Sequence, residues 1–321
     1  MLEEIAIIAL AIFNQFSFIN AEQNRNVFLA QFVDFGDISQ TGSITSGQDM
    51  WGEDAVREGG LEILPEKTKS ADLDINAVSA FAMDAGTDYP LYDKNSKKKM
   101  SIASLSKIMT AVVVLENKSL DETVTISSQS VATFGDKRNL VAGEKIKLED
   151  LLQVMIIDSN NAAAVALAEH TGGSVENFVD MMNQKAEVLG LKGTKFVNPT
   201  GLDAEGEDNY STAFDLVQLI DYALGQDRLW EISRTLEVTV FSLDKKQTHY
   251  VKNTDELLGQ LDNIYGGKTG YTVEAGECLA LITETADKKH KVVSVVLNAE
   301  DRFSEMKRLT SWVFDVYAWG L

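Results

Sequence analysis

Three short groups of residues stand in chain order with the types and spacing that acyl transfer needs: Ser104-Leu-Ser-Lys107, Ser159-Asn-Asn161 and Lys268-Thr-Gly270. Each alone is weak, since serine and lysine are common and an S-x-x-K arises about once by chance in a chain of this length. On a helix, residues three apart share a face, so Lys107 can bring its amine beside the Ser104 hydroxyl. Serine is a poor nucleophile until a base takes its proton. Lysine serves as that base only when burial or a nearby cation depresses its pKa, and Lys268 is a candidate for the cation. A helix start adds free backbone N–H groups and a positive dipole end, which favour developing negative charge. Taken alone, an N-cap serine with a solvated lysine explains the first motif equally well.

Ser159 and Asn161 lie on a turn between apolar stretches at 154–157 and 162–164. There a hydroxyl can relay a proton and an amide can hold a substrate amide; a plain helix cap is compatible with both roles. Lys268 and Thr269 sit in a glycine-rich run, Tyr265-Gly-Gly-Lys-Thr-Gly-Tyr271. Its small residues let a substrate backbone approach as an added strand, with the two side chains placed to bind a terminal carboxylate. A phosphate-binding loop fits poorly, because that pattern requires glycine where Asp262 stands.

Positioning these groups takes a scaffold, which the hydrophobic periodicity supplies. Strand-like segments at 77–83 and 89–92 flank a turn at 84–88. Helical periodicity covers 104–116, 148–157, 162–170, 175–189 and 212–224. Strand patterns return at 238–242, around Lys268, at 278–285 and at 292–298, before a closing helix over 303–317. Strands at both ends with helices between them predict an α+β fold, in which one sheet is joined by an inserted all-helical lobe. A substrate is expected in the cleft between the two.

The 321-residue chain is 45% hydrophobic and 24% charged, a globular balance. Its net charge of −20 disfavours nucleic acid and electrostatic docking on anionic lipid. The one cysteine, Cys278, forbids an intramolecular disulfide, and His170, His249 and His290 lack zinc-protease spacing. No G-x-S-x-G elbow supports a Ser-His-Asp triad. No cofactor is expected. Residues 1–21 carry apolar runs at 5–13 and 16–19, too short and interrupted for a membrane span of about 20 residues. They read as an export or anchor segment with Ala21 as the candidate cleavage position, although Glu3 and Glu4 stand where positive charge belongs. Residues 22–72 read as an acidic polar linker and 73–321 as the catalytic domain.

From about residue 75 to 319 the chain resembles the low-molecular-mass penicillin-binding proteins, the D-alanyl-D-alanine carboxypeptidase family of serine peptidases. The resemblance rests on the three ordered motifs, on Ile102-Ala-Ser-Leu-Ser-Lys-Ile-Met-Thr110 and Phe196-Val-Asn-Pro-Thr-Gly-Leu202, and on Tyr210-Ser-Thr212 and Gly267-Lys-Thr-Gly-Tyr-Thr272 followed by Ala275-Gly276. It implies an antiparallel sheet flanked by helices, as in β-lactamases and DD-peptidases. It also implies Ser104 as the acylated nucleophile, Lys107 as its base, and Ser159 with Asn161 as the second active-site element. Lys268 and Thr269 would bind the substrate carboxylate, with Gly270 and Tyr271 beside the substrate and Arg302 assisting. The oxyanion hole would be the backbone N–H groups of Ser104 and Tyr271.

The implied substrates are peptidoglycan stem peptides ending in D-Ala-D-Ala, with β-lactams as covalent inhibitors and action outside the cytoplasmic membrane. An endopeptidase cutting D-amino-acid crosslinks uses the same residues and stands as the alternative. A class A β-lactamase is disfavoured because no E-x-x-L-N segment lies between Asn161 and Lys268. A non-catalytic wall-binding protein is disfavoured because every element is present. Asn160 and Ser106 depart from a common glycine and threonine of the family without removing a functional group. The short run after the closing helix gives no expectation of the β-rich C-terminal domain of many relatives, and shifts any membrane association to the N-terminal segment.

Overall fold

The computed structural model describes residues 64–134, 140–203 and 208–320. The expected export segment and the linker up to residue 63 lie outside them. In chain order, β1 (Ala77–Asp84) and β2 (Tyr89–Lys94) form a hairpin. A 3-10 turn over Ala103–Leu105 leads into α1 (Ser106–Asn117). Then come α2 (Leu148–Ile157), α3 (Asn161–Gly172), α4 (Val175–Val188), α5 (Ala213–Ala223) and α6 (Asp227–Ser233). A second hairpin, β3 (Glu237–Phe241) and β4 (Thr248–Lys252), precedes β5 (Ile264–Thr272), β6 (Gly276–Glu284) and β7 (Lys291–Ala299). The last helix is α7 (Arg302–Val316).

The main sheet has the order β5-β6-β7-β1-β2 and is antiparallel throughout. Its strands come from the two ends of the described chain, with the helices inserted between, as the periodicity predicts. Strand β7 explains why its sequence lacks clean alternation: both faces of the sheet are covered. Val292 and Val296 pack beneath Leu309 and Val313 of α7. Val293, Val295 and Leu297 join a second core with Leu216 and Ile220 of α5. In the helical lobe the hub is α3, buried at Ala162, Ala163, Ala164, Ala166 and Ala168. Those small side chains let α1, α2 and α4 pack close around it.

Side-chain caps set several helix starts. Asn160 Oδ1 accepts from Ala163 N at 2.8 Å, Thr212 Oγ1 from Asp215 N at 2.9 Å, and Asp301 Oδ1 from Phe303 N at 3.0 Å. Each such cap contributes about 1 kcal/mol. The expected helix at 148–157 is found at those bounds, and the others shift by a residue or two.

Of the helices and strands named above, α6 and β4 were not anticipated. Helix α6 is only seven residues long, too short for a periodic signal, although Trp230 within it is buried. Order also begins before residue 75. Glu66–Lys67 pairs antiparallel with Tyr317–Ala318, Thr68 N donates to Val316 O at 2.8 Å, and Trp312 Nε1 donates to Ala71 O at 3.0 Å. These polar residues dock through their backbone, which a hydrophobic pattern does not register. Among the described residues, no helix is long and apolar enough to cross a membrane.

Candidate active site

The site lies where α1, the α2–α3 turn and strand β5 converge, in a cleft of about 480 Å3. Its lining includes Ser104, Ser159, Asn161, Thr269, Gly270, Tyr271 and Arg302. Strand β5 is an edge of the main sheet, so its outer edge is free to accept an extended chain.

Ser104 stands not in α1 but in the 3-10 turn that feeds it. The turn is entered through Ala103 at φ +47°, and Ser159 on the facing turn has φ +61°. Left-handed backbone costs roughly 1–2 kcal/mol for residues with a Cβ, and such strain clusters at functional sites. Contacts around both serines hold it in place. Ser106 Oγ donates to Ala103 O at 2.9 Å and accepts from Asn209 Nδ2 at 2.8 Å. A Cβ on Gly270 would meet Ile102 O and Ser104 N, each at 3.1 Å, so glycine is what lets β5 run this close to the nucleophile.

Lys107 is completely buried one helical turn after Ser104. Its Nζ lies 2.9 Å from Ser104 Oγ, 2.8 Å from Asn161 Oδ1 and 2.6 Å from Thr200 O; an ammonium donates to all three, whereas the neutral amine donates to Asn161 and Thr200 and accepts from the Ser104 hydroxyl. All three partners are neutral. Burial, and secondarily the charge on Lys268, push the Lys107 amine well below the ordinary lysine value. Asn161 is fixed from its other end, where Nδ2 donates to Phe134 O at 3.0 Å.

The third acceptor, Thr200 O, belongs to a turn that the motif reading did not include among site residues. Asn198 Oδ1 builds that turn by accepting from Thr200 N, Thr200 Oγ1 and Gly201 N at 2.7–3.1 Å. Gly201 has φ +80°, and a Cβ there would fall 1.9 Å from Ala103 O. The available signal was the Asn-Pro-Thr-Gly stretch, a turn sequence with a mechanism.

Lys268 is 3% exposed, and its Nζ donates to Ser159 Oγ at 2.9 Å and to Thr269 O at 3.0 Å. Burial and the Arg302 guanidinium lower its pKa to about 7, while Asp255 and Asp158 oppose the fall. Thr269 Oγ1 shares a 2.5 Å hydrogen bond with Thr254 Oγ1. Arg302, the first residue of α7, donates through Nη1 to Gly270 O at 3.0 Å and lines the same cleft. The structure therefore brings together all nine residues singled out from the sequence. Tyr271 lines the cleft and is 61% exposed.

The chain is similar to known proteins in sequence and in fold. A family profile described as D-alanyl-D-alanine carboxypeptidase, peptidase S11, matches residues 65–301. The chain is 36% identical over 241 residues to a D-alanyl-D-alanine endopeptidase of Pseudomonas aeruginosa, covering 73% of this chain and 76% of that one. It is 33% identical over 259 residues to the D-alanyl-D-alanine carboxypeptidase DacF of Bacillus subtilis, covering 78% of this chain and 65% of that relative. Among solved structures, the Streptomyces K15 DD-transpeptidase superposes with a TM-score of 0.72 at 30% identity, over 77% of this chain and 100% of that one. A D-alanyl-D-alanine carboxypeptidase of Mycobacterium tuberculosis also gives 0.72, at 25% identity, over 78% and 96%. With the profile matching well over half of its length, the chain belongs to the D-alanyl-D-alanine carboxypeptidase family of serine peptidases.

Proposed function

We propose that the cleft releases the terminal D-alanine of peptidoglycan stem peptides through an acyl-enzyme on Ser104. The observation that carries this reading is the Lys107 amine, buried among neutral acceptors 2.9 Å from Ser104 Oγ. An ordinary lysine is neutral in only about one molecule in two thousand at pH 7. A strongly lowered pKa makes the free base a substantial species where the nucleophile needs it.

The neutral amine takes the Ser104 proton as Oγ adds to the carbonyl carbon of the penultimate D-alanine. The oxyanion is met by the backbone N–H groups of Ser104 and Tyr271. Because Ser159 Oγ accepts from Lys268, its own proton is free to point into the cleft. Ser159 passes that proton to the leaving nitrogen and is replenished from Lys107, so the proton taken from Ser104 ends on the departing D-alanine as the C–N bond breaks. Water then hydrolyses the Ser104 ester with Lys107 again as base. Lys268 as an ammonium, Thr269 and Arg302 hold the terminal carboxylate. β-Lactams, which carry both a carboxylate and a reactive amide, acylate the same serine.

The substrate lies outside the cytoplasmic membrane, so the protein acts there, with residues 1–21 as export or anchor segment and the stretch that follows as spacer. Crosslink cleavage is the second reading, favoured by the identity to the Pseudomonas endopeptidase. Labelling with a fluorescent penicillin tests the main reading: a stable adduct is expected on the parent protein and none on Ser104→Ala. An adduct that persists on the alanine variant would refute the nucleophile. Digestion of purified peptidoglycan separates the two readings, by loss of single D-alanine or by loss of crosslinked dimers.

A further inference from the structure

Among the buried carboxylates that the mechanism leaves unused, Asp255, 5% exposed in the loop between β4 and β5, lies nearest in chain to the Lys268 strand and close to it in space. Its Oδ1 accepts from Leu257 N at 2.9 Å, while Oδ2 has no hydrogen-bond partner. That bare oxygen sits over β5: a Cβ on Gly267, the residue before Lys268, would lie 3.1 Å from it. The loop is anchored at the site, because Thr254 N donates to Ile157 O and Thr254 Oγ1 pairs with Thr269 Oγ1. A carboxylate oxygen left without a donor in a buried place is costly unless a charge nearby compensates it. Burial raises the pKa of the Asp255 carboxyl, and the Leu257 N–H and the charges on Lys268 and Arg302 act against that rise.

We propose that Asp255 is a positioning residue that keeps Lys268 in its charged state, so that this lysine can hold the substrate carboxylate. The proposal rests on the reading of Lys268 as the carboxylate holder. The charged groups acting on Lys268 come from separate elements. Arg302 at the start of α7 repels its proton, and the Lys268 charge in turn lowers the pKa of Lys107 on α1. Asp158 at the end of α2 and Asp255 favour the proton. Without the Asp255 charge, burial and Arg302 are opposed by Asp158 alone. The two lysines would then both tend to neutrality, and the cleft would have its base but a weakened anion holder. Gly267 fits this role, since a Cβ there would lie 3.1 Å from Asp255 Oδ2 and 2.9 Å from Ala280 O, so a larger residue would crowd the carboxylate.

Asp255→Asn keeps the acceptor for Leu257 N and removes only the charge. Acylation by benzylpenicillin is measured against pH for the parent and the variant, together with a penicillin methyl ester that lacks the carboxylate. The falling limb of the profile is expected to move down by about one pH unit in the variant, giving about tenfold slower acylation near pH 8 and less than about twofold near pH 6. Against the ester, the two proteins should acylate alike. A uniform loss at every pH, an equal loss against the ester, or an unchanged profile would overturn the proposal. The parent alone supplies a second readout, because the Asp255 carboxyl 13C shift should step at the pH where Lys268 titrates; no step there also overturns it. Absence of any adduct on Ser104 in the parent refutes instead the reading on which the proposal rests.

Discussion

Two buried lysines face one cleft, and their surroundings differ in kind. Lys107 is held by a hydroxyl, an amide oxygen and a backbone carbonyl, all neutral, with a second cation within electrostatic reach. Lys268 is also buried and also near a cation, yet two carboxylates, Asp255 and Asp158, act on it. Desolvation penalises both ammonium groups, but only the second has opposing charge to retain its proton. The pocket of Lys107 suits a base; that of Lys268 suits an anion holder. On the proposed reading the same residue type takes two roles through what surrounds it, with the Lys268 charge contributing to the lowered pKa of Lys107.

The largest expected effect breaks the first pocket. Lys107→Arg keeps the charge but cannot deprotonate, and acylation should fall by about a thousandfold, read by adduct mass against time. Next in size is Asn198→Ala, which removes the acceptor that builds the turn behind Lys107. It should cost about 2–3 kcal/mol in thermal unfolding, with acylation down by roughly thirtyfold as Thr200 O shifts. Lys268→Arg keeps the charge in its proper role and should lose only about tenfold, mostly in KM, because the guanidinium is bulkier.

The pH profile sharpens the contrast. A lysine whose pKa is lowered gives up its proton as pH climbs through that value. On Lys107 the loss creates the base, so kcat/KM rises. On Lys268 the loss removes the anion holder, so kcat/KM falls as pH passes about 7. Lys268→Arg should abolish the fall and leave the rise, a separation that steady-state kinetics over the pH range will detect. The smallest effect is expected of Tyr271→Ala. Its side chain is mostly exposed and its proposed contribution is a backbone N–H, so labelling should change by less than about threefold.

The three motifs were legible because each occupies consecutive residues with strong local chemistry. Sheet membership was legible too, since β1, β6 and β7 carry apolar runs long enough to identify. What escaped notice acts through backbone or across the chain. Thr200 contributes a carbonyl, which any residue possesses, and only the Asn198 turn directs it at Lys107. Asp255 sits thirteen residues before Lys268 in a loop with no period, and its buried state follows from tertiary packing alone. The docking of Glu66–Lys67 on Tyr317–Ala318 is made by backbone pairing of an exposed polar dipeptide, and nothing in that dipeptide names its partner. The 3-10 entry to α1 was likewise invisible to a 3.6-residue pattern, which carried the helix back to Ser104.

The proposed chemistry requires Lys107 as the neutral amine and Lys268 as the charged one. It is tested most directly by heteronuclear NMR of protein labelled at lysine Cε and Nζ, with Lys107→Arg and Lys268→Arg providing the assignments. The Lys107 amine should lose its proton well below the ordinary lysine value and before Lys268, which should titrate at about 7. A Lys107 that titrates after Lys268, or near the value of a solvated lysine, would contradict the account.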